Sequence, residues 1–179
     1  HMHHDHSGGL TKLDENNQLV STFSNAKIFV NDIEWYEMMN PNNRTKGTYL
    51  RENWEPIQHQ VETFTEYLNI IPEIQLVHTG GHSNGYSIIL LKQGKETMIH
   101  MADLLLTHAH RKPVWVAAVD DYPMRSIIAK EKWLKEAFEN HYKFFFYHDQ
   151  FFAVAEFDHE GKEIVVSQNG RVIIGKHRY

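Results

Sequence analysis

Four potential metal ligands stand within the opening six residues, HMHHDH: His1, His3, Asp5 and His6. Neutral imidazoles and carboxylates are the ligands that hydrolytic zinc-type sites use. In an extended segment alternate residues share a face, so His1 and His3 should point the same way. A sharp bend would then bring Asp5 and His6 to a second ion, and Gly8-Gly9 suits such a bend because glycine accepts unusual backbone angles. The segment predicts half of a two-metal site.

The same letters, HMHH, are also typical of the remnant of a purification tag, which would carry no information about the fold. His1-Met2 would then be vector-derived rather than native. The six residues alone do not distinguish the two interpretations. A genuine two-metal site needs at least two more ligands downstream.

Composition narrows the class of protein. The 179 residues suffice for one domain, 1–179, with a sizeable core. The net charge of −5, from 18 basic and 23 acidic side chains, gives no electrostatic footprint for nucleic acid. No stretch approaches the roughly 20 apolar residues of a membrane span. Cysteine is absent, so any metal must be held by histidine and carboxylate, and a cytoplasmic location is expected.

Hydrophobic patterning predicts a mixed α/β (α+β) architecture in which strands outnumber helices. The strands are expected over 27–30, 74–78, 86–91, 97–101, 143–147, 151–157 and 162–166. Helices are expected over 33–39, capped by Asn31-Asp32, and over 123–140. An apolar run covers 114–119, and the irregular residues 40–56 are expected to form a lid.

Three further ligand candidates lie at or just beyond the ends of predicted strands. His82 follows the strand that ends at His78, Asp103 follows the strand 97–101, and His148 follows the strand 143–147. Loops at strand ends are where rigid sheets present catalytic groups. Each of these residues alone is more often a cap or a surface group. Their occurrence together with the opening motif favours a metal site over a tag.

The order of these motifs resembles the metallo-β-lactamase superfamily: HxHxDH, a Gly-His turn, an aspartate after a strand and a histidine after a strand. Within it the sequence most resembles the quorum-quenching lactonases of the YtnP type. The stretches that carry the resemblance cover nearly the whole chain: HMHHDHSGGLT, Ile33-Glu34-Trp35, Asn53-Trp54-Glu55-Pro56, HTGGHSNGYS, HMADLLLTHAH, Asp120-Asp121-Tyr122-Pro123 and Phe146-Tyr147-His148-Asp149.

This resemblance implies an αβ/βα sandwich with two divalent metal ions, zinc first, with manganese, iron and cobalt as alternatives. It assigns His1, His3 and His82 to the first metal, Asp5, His6 and His148 to the second, and Asp103 to both. It also implies that a metal-bridging hydroxide attacks a lactone or ester carbonyl while one metal stabilises the leaving alkoxide. Asp5 or Asp103 is the candidate to bring a proton to that alkoxide.

The implied substrate is a lactone of the N-acyl-homoserine type, and the implied role is quorum quenching. The better-known lactonases of this kind carry a tyrosine three residues after the bridging aspartate, where this chain has Leu106. Tyr86, His110 and Tyr122 are the candidates to replace that contact. His108 and His110 are candidates to orient ligands. The other histidines are expected to have structural or surface roles: His4, His59, His100, His141, His159 and His177.

Members of the superfamily carry further strands before HxHxDH, so the resemblance implies the C-terminal part of such an enzyme, truncated at its N-terminus. Exposed strand edges would then favour self-association into a homo-oligomer. Two alternatives to a lactonase stay open. One is a hydrolase of the same fold that acts on a thioester or phosphoester, and the other is an inert, self-associating fragment.

Overall fold

The structure, a computed structural model, describes residues 1–169. The strands are β1 (Thr11–Leu13), β2 (Leu19–Ser21), β3 (Ile28–Asn31), β4 (Val61–Phe64), β5 (Tyr67–Ile71), β6 (Ile74–His78), β7 (Ser87–Gln93), β8 (Glu96–His100), β9 (Lys143–Phe145), β10 (Phe152–Phe157) and β11 (Ile164–Asn169). The α-helices are α1 (His4–Ser7), α2 (Asp32–Met39) and α3 (Pro123–Glu139). Single 3₁₀ segments cover Gly8–Leu10, Thr45–Gly47, Arg51–Asn53, Glu55–Gln60, Ala102–Leu105 and His108–Arg111. His177 and the end of the predicted domain lie outside the described residues.

The main sheet has seven strands in the order β11-β10-β9-β8-β7-β6-β5. Strand β7 is antiparallel to both of its neighbours, β6 and β8, and β8 is parallel to β9. Strands β6, β8 and β9 therefore run in the same direction, and their C-terminal ends lie at one edge of the sheet. The loops that carry His82, Asp103 and His148 leave the sheet from this edge.

A second layer surrounds the opening segment. Strands β3 and β4 pair in parallel, and β1 and β2 form a separate hairpin. Helix α2 follows β3 directly, and the Asn31 side chain caps it by accepting a hydrogen bond from Ile33 N at 3.0 Å. Met2 is buried in a small apolar cluster of this layer, with Val30, Met38 and Tyr49. The segment that bears the first ligands is therefore anchored by packing.

The main core lies between α3 and the seven-stranded sheet. Its members include Ile88, Leu90, Ile99, Ala129, Trp133, Leu134, Ala137, Phe144 and Phe157. Ile128 of α3 is 63% exposed, whereas the next residue, Ala129, is buried in this core. Among the described residues, none of the helices combines the length and apolarity that crossing a bilayer requires.

The structure confirms most of the elements that patterning predicts, including both long helices and both hairpins. Strands β4 and β5 are not predicted, because 61–71 mixes charged and apolar residues without clear alternation. The apolar run 114–119 forms no strand, and it leaves Val114 and Val119 exposed.

The irregular segment 40–56 lies against the opening segment. Thr48 O accepts a hydrogen bond from His4 N at 2.9 Å, and Asn53 Nδ2 donates to Ser7 Oγ at 3.1 Å. Tyr49, which belongs to the same irregular segment, is also buried. The segment therefore fixes the ligand-bearing turn in place, and its predicted role as a lid over a substrate stays a prediction.

Candidate metal centre

The opening segment changes from an extended to a helical conformation after His3. His3 has φ −60° and ψ 152°, and His3 O then accepts hydrogen bonds from His6 N and Ser7 N at 3.0 and 2.9 Å. The predicted bend is therefore the short helix α1. The glycine pair does not make it, since Gly8 has an ordinary helical φ of −58°. The Ser7 hydroxyl closes the turn by donating toward Met2 O and His3 O at 3.1 and 3.0 Å.

The structure brings all seven predicted ligands together in two adjoining groups. Within each group, one potential ligand atom per residue lies within 4.8 Å of all the others. The first group is His1, His3 and His82, and the second is Asp5, His6, Asp103 and His148. The grouping agrees with the predicted assignment, and metal binding by these residues stays a prediction.

Asp103 joins the two groups through its two carboxylate oxygens. Oδ2 lies 3.7 Å from His1 Nε2 and 3.2 Å from His82 Nε2. Oδ1 lies 3.0 Å from His6 Nε2 and 2.9 Å from His148 Nε2. Each oxygen therefore serves one group, which is the arrangement that a bridging carboxylate requires.

Unsatisfied polar atoms converge at this point. Among residues 1–169, His1 Nε2 and His3 Nε2 are buried without a hydrogen-bond partner. The buried Asp103 Oδ1 faces His6 Nε2 and His148 Nε2, which are themselves potential metal ligands. Burying a polar atom without a partner is unfavourable, so such atoms need an explanation. Metal ions that accept the lone pairs of these nitrogen and oxygen atoms would satisfy them. The donor set thus fits divalent cations that imidazole and carboxylate prefer.

The electrostatics favour the metal-binding forms of two of these ligands, His3 and Asp103. Burial and, to a smaller extent, the neighbouring His82 lower the pKa of His3 to about 4, so His3 is neutral at neutral pH. Burial alone would raise the pKa of Asp103, but close contact with His6 and the charges of His82 and His148 outweigh it and lower the pKa. Neutral imidazole and ionised carboxylate are the forms that bind metal.

Asp120 orients His82 from behind. Its Oδ1 lies 2.9 Å from His82 Nδ1, and both side chains are buried. With its proton on Nδ1 and donated to Asp120, the His82 ring turns the Nε2 lone pair toward His3 and Asp103. Carboxylates commonly orient metal-ligating histidines in this way. The sequence places Asp120 only in a stretch that carries the family resemblance, and no spacing rule connects it to His82.

Glu34 is a second buried residue whose role the sequence did not indicate, although it lies in a stretch that carries the family resemblance. Its carboxylate is 1% exposed and accepts hydrogen bonds from Met2 N at 2.8 Å, Tyr49 OH at 3.0 Å and Ser83 Oγ at 2.6 Å. These donors flank the ligands of the first group. Gly85 packs directly on Glu34, since a Cβ at Gly85 would lie 2.1 Å from Glu34 N. One carboxylate therefore ties three chain segments together beneath the site.

Asp149 supports the loop that carries His148. Its Oδ2 accepts hydrogen bonds from His108 N at 2.7 Å and faces His108 Nδ1 at 2.6 Å, while Oδ1 accepts from Phe151 N at 2.8 Å. His108 thus contacts the residue next to a ligand, and its role in orienting ligands stays a prediction. His110 instead bonds the Thr107 hydroxyl through Nδ1 at 2.8 Å.

The three predicted substrate contacts lie in different surroundings. Tyr86 is buried, and its hydroxyl bonds backbone groups beside Asp103, which does not agree with a substrate contact. Tyr122 donates to Glu37 Oε1 at 3.4 Å, and Arg125 stacks over its ring. The substrate contacts of Tyr122 and His110 stay predictions.

Tyr147 is an exposed aromatic residue at the site that sequence reasoning missed. Its ring centroid lies 4.8 Å from that of His6 and 4.7 Å from that of His148, and its hydroxyl donates to Asp5 O at 3.0 Å. The side chain is nevertheless 55% exposed. The available sequence signal for Tyr147 was its position directly before the predicted ligand His148.

Comparison with solved structures gives strong matches. A protein from Staphylococcus aureus described as a probable metal-dependent hydrolase is 35% identical, with a TM-score of 0.90 over 97% of this chain and 61% of that one. AidC, a dizinc quorum-quenching lactonase solved with the product N-hexanoyl-L-homoserine, is 19% identical, with a TM-score of 0.76 over 95% of this chain and 62% of its own. The hydrolase AbOPH of the β-lactamase superfamily is 20% identical, with a TM-score of 0.75 over 92% and 60%.

The three matches confirm the predicted metallo-β-lactamase-like fold and the resemblance to metal-dependent hydrolases of that fold. The particular resemblance to the YtnP-type lactonases stays a prediction. This chain spans about three fifths of the length of each of these proteins. No protein-family model matches the sequence, and no curated protein matches it.

Proposed function

We propose that this chain, which has the metallo-β-lactamase fold, provides the two-metal centre of a hydrolase that opens a lactone ring. The observation that carries the proposal is the position of Asp103. Its two oxygens face separate groups of ligands, and each group offers enough nitrogen and oxygen atoms to hold one cation. A shared carboxylate reduces the repulsion between two cations held close together.

The first cation would be held by His1, His3, His82 and Asp103, and the second by Asp5, His6, His148 and Asp103. When bound, two divalent cations supply a nucleophile from water near neutral pH and polarise the substrate carbonyl. We propose zinc as the cation, since imidazole and carboxylate ligands suit it. The chain's own contribution is to hold the ligands at fixed positions, with Asp120 and Glu34 supporting the first group.

Asp5 is the residue proposed to move a proton. Its Oδ2 lies 3.4 Å from His6 Nε2 and 3.7 Å from His148 Nε2, and its side chain is 43% exposed. Asp103 is 7% exposed and surrounded by imidazoles. Asp5 therefore has the better access to a leaving alkoxide, which must take up a proton when the ring opens.

Tyr147 is the residue proposed to face the substrate beside the metals. Its half-exposed ring lies against His6 and His148, so an acyl chain or lactone ring could pack on it. The product complex of AidC, which has the same fold, supports a substrate of the N-acyl-homoserine lactone class. The proposed role of the chain is then quorum quenching.

The experiment is a hydrolysis assay of the zinc-loaded chain with three substrates: N-hexanoyl-homoserine lactone, an acyl thioester and a phosphotriester. We expect lactone turnover to exceed the other two. We expect His82→Ala and His148→Ala to lower it by at least about 100-fold, because each removes a metal ligand. His59→Ala, which removes an exposed histidine, is the control and should leave turnover unchanged.

Preferred turnover of the thioester or phosphotriester would replace the lactone proposal. Full activity and full metal content in His82→Ala or His148→Ala would contradict the ligand assignment. Absence of turnover of all three substrates by a chain that holds two zinc ions would contradict the proposed reaction while leaving the metal centre standing.

A further inference from the structure

The residue before Asp103 has an unusual backbone conformation. Ala102 has a φ of +38°, in the left-handed region that side chains with a Cβ rarely adopt. The two other non-glycine residues with positive φ among residues 1–169 are Asn17 and His141, whose residue types tolerate this region better. An alanine held there is strained, and the surrounding structure must maintain it.

A single buried hydroxyl holds both sides of this strained residue. Tyr86 OH donates to Met101 O at 2.7 Å and accepts from Asp103 N at 2.8 Å. The two peptide groups that flank Ala102 are therefore fixed to the same oxygen atom. Tyr86 is 1% exposed, so water does not compete for these bonds.

The backbone of Tyr86 also holds the loop that leads to His82. Tyr86 O accepts hydrogen bonds from Thr79 N at 2.8 Å and Gly80 N at 3.0 Å. Its ring centroid lies 4.9 Å from that of His1 and 5.6 Å from that of His82. One residue thus connects the His82 loop, the opening segment and the turn that presents Asp103.

We infer that Tyr86 is a positioning residue, whose hydroxyl maintains the strained turn at Ala102 and thereby holds the Asp103 carboxylate between the two ligand groups. This inference rests on the proposed function, because it assigns a metal-holding role to Asp103. Asp103 must direct one oxygen to each group, so a small rotation of its backbone would misplace both oxygens. A site of this kind depends on support behind its ligands.

The test compares Tyr86→Phe, Ala102→Gly and the double variant. Tyr86→Phe keeps the ring and removes only the hydroxyl. We expect it to weaken zinc binding by about ten-fold or more, as loss of an orienting contact does. Glycine adopts positive φ without strain, so Ala102→Gly alone should leave zinc affinity unchanged or improve it. In the Tyr86→Phe background it should restore part of the lost affinity.

Zinc affinity is measured by competition with a chromophoric chelator, and the absorption spectrum of the cobalt-loaded chain reports the ligand geometry directly. Tyr142→Phe is the matched control, because it removes a hydroxyl bonded to Glu136 Oε1 at 3.2 Å on α3. It should change neither readout. Urea unfolding of each metal-free variant shows whether the chain remains folded.

Unchanged zinc affinity and cobalt spectrum in Tyr86→Phe would overturn the inference. A loss in Tyr86→Phe that Ala102→Gly does not reduce would overturn the role of the strained turn. Because zinc affinity is measured without substrate, failure of lactone hydrolysis would contradict the proposed function and leave this inference standing.

Discussion

Asp103→Asn is expected to reduce the metal content of the chain from two zinc ions to at most one and to lower hydrolysis by more than about 100-fold. The amide keeps the shape of the carboxylate but loses its charge and one of its two acceptor oxygens. In Asp103 one oxygen faces His82 and the other faces His148. Asparagine has only one side-chain oxygen, so one of the two groups loses a ligand. Without the negative charge, two cations so close together would also repel each other more strongly.

Zinc content after gel filtration and the rate of lactone hydrolysis measure this effect. Asp158→Asn is the matched control, since Asp158 belongs to the turn between β10 and β11 and its carboxylate accepts backbone hydrogen bonds there. It should leave the zinc content at that of the unaltered chain. Two zinc ions retained by Asp103→Asn, together with full activity, would show that Asp103 is not shared.

Glu34→Ala is expected to destabilise the metal-free chain by on the order of 3 kcal/mol. The substitution leaves Met2 N, Tyr49 OH and Ser83 Oγ without their acceptor in a buried position. Glu34→Gln should cost less than half as much. Its amide oxygen can still accept from Met2 and Tyr49, and the Ser83 hydroxyl can accept from its amide nitrogen.

Urea unfolding of the metal-free chain measures the change in the free energy of unfolding. Glu62→Ala is the control, because Glu62 is about half exposed and pairs with Lys27 at the surface. Its effect should stay within about 0.5 kcal/mol. Equal losses in Glu34→Ala and Glu62→Ala would contradict the role of Glu34 in joining the three segments.

The predicted ligands could be found from the sequence because local rules determine their positions. His82, Asp103 and His148 each follow a strand with a clear apolar pattern, and a sheet places such strand ends at its edges. The family resemblance that the order of these motifs carries then implied how the ligands divide between two metals. The pairing that puts β6, β8 and β9 in one direction explains why these three ends lie together.

The supporting residues could not be found in the same way. Glu34 lies on α2, where an acidic residue ordinarily faces solvent, and its three partners come from distant parts of the chain. Asp120 is 38 residues from His82, and only the folded chain brings them together. Tyr86 was predicted to contact the substrate because of its residue type. The structure shows it buried, with its hydroxyl bonded to the backbone at Asp103.

The bend in the opening segment shows the same limit. The sequence indicated a bend between His3 and Asp5, and the structure contains one. Glycine was expected to make it, but the Ser7 hydroxyl and a helical turn make it instead. The residue types predicted that the chain turns after His3, and the hydrogen bonds of the folded chain show which groups make the turn.

If this chain holds two divalent cations in one centre shared through Asp103, the number of bound ions per chain can be counted. The chain is stripped with a chelator, reloaded with zinc, freed of excess metal by gel filtration, and its zinc is quantified by mass spectrometry against protein concentration. We expect two zinc ions per chain. One zinc ion or none per folded chain would contradict it.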